Sequence, residues 1–229
     1  MKKFLWCEDS GSGYLFWCAL CKALYPEITV ETKKTNTGLR KAADSITSDG
    51  NIYYILMDFA VDNPDVLRES IQLTKVVNGK ENVQIIRLHS FEFALLSFDL
   101  LEQWVFAEKD ELKDKRQNFL DARVLLIKLQ SSFGEGSALE ELKNLIDQTE
   151  NKNTEQIAAK ILFGITRNTG FETNKGKLGR CFVNNCCEWS ERQKDDICGL
   201  DDTRISANKK AELLVSRSIL KDAFERVGL

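Results

Sequence analysis

Through the first half of the chain, short apolar runs alternate with longer stretches of helical periodicity. Lys3 to Cys7 and Ile52 to Met57 are nearly all apolar, as expected of strands covered on both faces. Ile28 to Thr32 and Val83 to Leu88 have the β-branched content of strands. Between them, Tyr14 to Tyr25, Gly38 to Ile46, Asn63 to Val77 and Phe91 to Phe106 read as helices. Pro26 stops the first of these, Pro64 suits the opening turn of the third, and Asn78-Gly79 closes it. This alternation predicts an α/β fold: a four-stranded, mainly parallel sheet with right-handed crossover helices.

Beyond Phe106 the period is helical only. Glu108 to Gln130, Ser137 to Gln148, Glu155 to Thr166 and Ala207 to Val227 are predicted helices, and the polar segment Thr149 to Thr154 is a loop. The Asn-, Gly- and Cys-containing stretch 168–202 has weak periodicity. The expected organisation is an α/β domain over 1–107 and a mostly helical extension over 108–229 that contains the cysteine loop.

A parallel sheet presents its functional edge at the carboxyl ends of the strands. Acidic residues collect there. Glu8 follows the first strand, Asp58 ends the third, Asp62 lies just beyond, and Glu92 follows the fourth. Grouped carboxylates repel one another unless something offsets the charge. A hard divalent cation such as Mg²⁺ would do so. Two carboxylates would then hold the metal while a third serves as general acid or base. The plainer alternative is that these acids cap helices. The only histidine, His89, sits at the same edge and would contact a phosphate, move a proton, or cap a loop. Ser10-Gly11-Ser12-Gly13, between a strand and a helix, is either a plain tight turn or a place for a phosphate, from nucleic acid or from FMN in a flavodoxin-like fold. It is not a P-loop, since no Gly-Lys-Ser/Thr follows.

Three segments carry a resemblance. Trp6-Cys7-Glu8-Asp9-Ser10-Gly11-Ser12-Gly13 resembles the strand–glutamate–glycine turn of the Toprim domain. Tyr54-Ile55-Leu56-Met57-Asp58-Phe59-Ala60 is similar to that family's strand leading to an Asp-x-Asp pair. His89-Ser90-Phe91-Glu92-Phe93 resembles a segment of compact Toprim proteins of the OLD-nuclease type, often linked to phage defence. The resemblance covers about residues 1–107. It implies a Toprim/Rossmann-like domain and a Mg²⁺-dependent nuclease, with Glu8 in the acid–base position and Asp58 as metal ligand, joined by Asp62 or Glu92. Position 60 is alanine where the pattern has its second aspartate, and Asp9 stands where a glycine is usual. The alternative is a sensor or protein-interaction module that keeps the fold and has lost the metal site.

Charge and composition add limits. Hydrophobic residues are 43% and charged residues 29%, with a net charge of −3, so no global basicity points to nucleic acid. Local basic groups would contact its backbone or form only a solvated charged face: Lys33-Lys34, Arg40-Lys41, Lys175 to Arg180 and the closing helix with Lys209, Lys210, Arg217, Lys221 and Arg226. The run Phe4 to Cys7 is too short for a secretion signal and no stretch is long enough to span a membrane, which predicts a cytoplasmic protein without membrane contact. An odd total of 7 cysteines argues against a disulfide framework. Cys181, Cys186, Cys187 and Cys198 are candidate Zn²⁺ ligands or reduced thiols. Cys18 and Cys21 fall within a predicted helix and read as packing residues.

Overall fold

A computed structural model describes residues 1–60, 62–106, 110–132, 136–147, 152–166 and 206–229. The sheet has four strands, β1 (Lys3–Cys7), β2 (Ile28–Thr32), β3 (Ile52–Asp58) and β4 (Val83–Leu88), in the order β2-β1-β3-β4. Every neighbouring pair is parallel. The α/β expectation holds, with all the pairing parallel. In this order the chain steps from β1 to β2 in one direction and then crosses back to β3 and β4 on the other side. The topological switch point therefore lies between β1 and β3, where a crevice opens at the carboxyl ends of an α/β sheet.

Alternation along each strand divides the core in two. Leu5, Cys7, Tyr54, Leu56, Ile86 and Leu88 face the larger core. It is completed by α1 (Ser12–Leu24), α4 (Phe91–Ser97), α5 (Leu101–Val105) and the helices that follow. Trp6, Tyr53, Ile55, Met57 and Val83 face a smaller core closed by α2 (Asn36–Asp44) and α3 (Pro64–Val77). The later helices are α6 (Glu111–Lys115), α7 (Gln117–Ser132), α8 (Gly136–Leu145), α9 (Thr154–Thr166), α10 (Ala207–Ser216) and α11 (Leu220–Glu225). Of these, α9 packs on α4 and α7, α10 packs on α1, and α11 packs on β4, so the helical region covers one face of the sheet.

Three predicted helices are each divided. Phe91 to Phe106 breaks at Phe98, whose backbone is extended, giving α4 and α5. The buried Arg123 explains the break, because its guanidinium donates to the carbonyls of Leu96 (2.6 Å) and Phe98 (2.8 Å). The closing helix breaks after Ser216, where the Arg217 carbonyl accepts the Asp99 N–H and the Arg217 side chain pairs with Asp99. The two breaks thus hold each other. Within Glu108 to Gln130, Arg116 separates α6 from α7 and donates to the Gly164 carbonyl of α9 at 2.9 Å. Continuous apolar periodicity does not reveal such long-range capture of helix-end carbonyls. Among the described residues, no helix is long and apolar enough to cross a membrane.

Candidate functional site

Asp58 is the last residue of β3, and the strand carries it inward. It shares its face with Tyr54 and Leu56, so it points toward the larger core. Only 5% of it is exposed, and its Oδ1 has no hydrogen-bond partner. A buried carboxylate oxygen without a donor is costly and calls for an explanation. Burial raises the Asp58 pKa well above the usual carboxylate range, and the charges of Asp9, Glu8, Glu155 and Glu92 add to the rise.

Those four acids come from three places: Glu8 and Asp9 from the segment after β1, Glu92 from α4 and Glu155 from α9. Glu8 lies one residue beyond β1. It accepts from the backbone N–H of Asn36 at the start of α2, on the side of the sheet that carries Trp6. Burial, then the charges of Asp9, Glu155 and Glu92, push its pKa up to about 7 despite that bond. Asp9 accepts from Nε1 of the fully buried Trp17 at 3.1 Å. Its carboxylate lies against the start of α1, so close to Gly13 that a Cβ there would clash with it. This explains the glycine at position 13. Within the turn, Gly11 is open, with nothing within 4 Å of where a side chain would start.

Glu92 sits in the first turn of α4, behind the N-cap Ser90, whose hydroxyl accepts from the Phe93 N–H. Burial raises its pKa, with Asp9 and Glu155 adding to the effect. Glu155, in the first turn of α9, is raised by burial and by Asp9 and Asp62. Burial is the largest upward influence on all five groups, neighbouring carboxylates add to it for Glu8, Asp58, Glu92 and Glu155, and no lysine or arginine is among the main influences.

Neither Asp58 nor Asp62 caps the helix that follows them. That role falls to Asn63, which accepts from the N–H groups of Asp65 and Val66. Asp62 is exposed and instead takes two bonds from Thr154, one from the backbone N–H and one from the hydroxyl, both at 2.6 Å to Oδ2. His89 donates to the Phe59 carbonyl, which fixes its ring, and packs edge-on to Phe93 at 5.0 Å. Burial lowers its pKa, which favours the neutral imidazole. A small pocket beside the acids is lined by Ala60, Asp62, His89, Phe93, Thr154 and Glu155.

The structure thus brings Glu8, Asp58 and Glu92 to one sheet edge, with His89 and Asp62 at its border. As they stand, no group of three or more His, Cys, Asp or Glu side chains among the described residues is placed to hold a metal ion. The donor chemistry still suits a hard cation: oxygen ligands, one of them buried without a donor. Asp9 and Glu155 belong to the cluster and were not expected from sequence. Asp9 was legible only as an acid where a glycine is usual. Glu155 carried no signal beyond that of an ordinary first-turn acid.

Other expectations fare differently. Among the closing helices' basic residues, Lys210 is buried, Lys209 pairs with Glu212 and Arg217 pairs with Asp99. Lys175 to Arg180 lies outside the described residues. Of the two cysteines expected to pack, Cys21 is buried in the larger core, where burial pushes its thiol up to about 12, and Cys18 is half-buried. The candidate zinc ligands Cys181, Cys186, Cys187 and Cys198 lie outside the described residues. Compared with known proteins, the chain matches no family model, no curated protein and no solved structure.

Proposed function

We propose that the protein is a divalent-cation-dependent phosphodiesterase acting on nucleic acid, with its site at the β1–β3 switch point. The observation that carries this reading is Asp58: a buried carboxylate with an unpartnered oxygen, ringed by other acids. A Mg²⁺ or Mn²⁺ ion would supply the missing partner and stabilise charge on a phosphoryl oxygen. Asp58 and Glu92 would hold it, after side-chain rotation that brings their oxygens together. Glu8, with a pKa near 7, is poised to take or give a proton at neutral pH. His89, neutral and fixed by the Phe59 carbonyl, lines the adjoining pocket. The resemblance to Toprim proteins supports the same assignment, and a role in phage defence belongs to this proposal.

The test is cleavage of single- and double-stranded DNA and RNA in Mg²⁺ or Mn²⁺. Glu8→Gln and Asp58→Asn are each expected to lower the rate by about 100-fold or more. Unchanged cleavage in both variants would rule the site out. The lack of three converged ligands among the described residues favours a second reading, a non-catalytic interaction module that retains the fold. On that reading the wild type cleaves nothing and binds no Mn²⁺.

A further inference from the structure

We propose that the outer edge of β2 is a self-association surface, on which β2 of a second copy of this chain pairs antiparallel about a two-fold axis at Val30. β2 is the last strand of the sheet on its side. Among the described residues, β1 is the strand that pairs with it and α1 is the helix that packs on it. One bond fixes the direction of its backbone groups. The Lys33 N–H donates to the Cys7 carbonyl at 2.7 Å, toward β1. Backbone groups alternate in direction along a strand. Those of Thr29 and Glu31 therefore also face β1, and those of Ile28, Val30 and Thr32 face outward. The Ile28 N–H is taken by the Tyr25 carbonyl at 2.8 Å. The N–H groups of Val30 and Thr32 and the carbonyls of Ile28 and Val30 have no partner among the described residues. Bulges, prolines and lysines commonly protect such an edge. β2 runs in unbroken register with β1 and contains neither proline nor lysine. The opposite edge differs, since α11 packs on β4 and Arg87 stands exposed within it.

The edge complements itself when reversed. About the axis, the two Val30 residues exchange N–H···O=C bonds, and each Thr32 N–H meets the Ile28 carbonyl of the other copy. Thr29, which is exposed, then stands opposite Glu31 of the second copy, on the face where Lys33 lies 4.0 Å over the Trp6 ring. Within each copy Glu31 pairs with Lys33 at 2.7 Å and Glu27 with Lys3 at 3.0 Å, so both acids enter the interface already accompanied by a cation. Beyond the strand ends, Lys33 of each copy approaches Glu27 of the other, which adds attraction. Parallel pairing of the same edges would set Glu31 against Glu31, and like charges placed so oppose association. The antiparallel interface is isologous and closes at two copies. It leaves the acid-lined strand ends of the two copies at opposite margins of the joined sheet. Pairing of the copies is therefore independent of what the Asp58 site does.

Sedimentation velocity of the full chain over a range of concentrations reads the association directly, and charge changes at Thr29 identify the surface. Wild type is expected to pass from monomer to dimer as concentration rises. Thr29→Glu places like charges opposite each other at both symmetric contacts, and should weaken the dimer by about tenfold or more. Thr29→Lys faces Glu31 of the second copy and should dimerise as tightly as wild type or more so. The double variant Thr29→Glu, Glu31→Lys exchanges the two charges and should recover most of what Thr29→Glu loses. Because Thr29 is exposed, these variants should keep the wild-type far-UV circular dichroism. A wild type that stays monomeric up to about 100 μM overturns the proposal. So does a dimer that Thr29→Glu and Thr29→Lys leave unchanged or weaken alike, because its surface then lies elsewhere.

Discussion

The two ends of the sheet are made by the same strands and are built on opposite terms. At the amino-terminal end, polar groups find partners. Lys80 Nζ donates to the carbonyls of Ala43, Asp44 and Ile46 at 2.7–2.9 Å and closes the carboxyl end of α2. Asn82 Nδ2 bridges the carbonyls of Thr47 and Asn51, and Tyr53 donates to Asp49 at 2.6 Å. At the carboxyl end, burial raises the pKa of five acids, the charges of their neighbours raise four of them further, and Asp58 Oδ1 has no partner. One end is arranged for stability. The other holds unfavourable charge within the fold, as sites for a ligand often do. The difference teaches that neutralising a charge should have opposite signs at the two ends.

The largest expected effect is at the amino-terminal end. Lys80→Met removes a cation that serves three carbonyls, and should lower stability by about 2 kcal/mol in urea unfolding. A loss below about 0.5 kcal/mol would mean that water replaces the ammonium at no net cost.

A smaller effect is expected from Glu8. Its folded pKa of about 7 lies above the ordinary 4.5, so protonation favours the folded state. The corresponding stability is fully present below about pH 4.5 and is lost as pH rises through 7. After allowance for partial exposure, metal-free wild type should lose about 1 kcal/mol between pH 5 and pH 8 through this group. Glu8→Gln should show a flatter profile by that amount. Parallel profiles would remove Glu8 from the buried cluster.

The contrast also marks what could be read in the sequence. The bounds of β1, β2 and β4 follow from apolar runs and turn residues, and β3 extends only to include Asp58. Glu8, Asp58 and Glu92 were legible as a shared edge because a parallel sheet places strand ends together. The faces were not. The Asn36 N–H draws Glu8 toward α2, whereas Asp58 points into the larger core. Asp62 read as a helix cap or a ligand, yet it receives Thr154, 92 residues away. Glu155, the next residue, lines a small pocket with Asp62 and His89. Arg123 and Arg116 divide helices by taking carbonyls from distant turns. Periodicity records which face of an element is apolar. It does not record which distant side chain will meet that element's end.

The central claim is that Asp58 is destabilising alone and stabilising when a divalent cation is bound. Thermal unfolding of wild type and Asp58→Asn at pH 8, in EDTA and in Mn²⁺, tests it most directly. In EDTA the variant should be the more stable, by on the order of 1 kcal/mol, because a buried charge among like charges is gone. In Mn²⁺ the order should invert, since only the wild type gains stability from binding. A variant less stable than wild type in EDTA, or the same order in both buffers, would contradict the account.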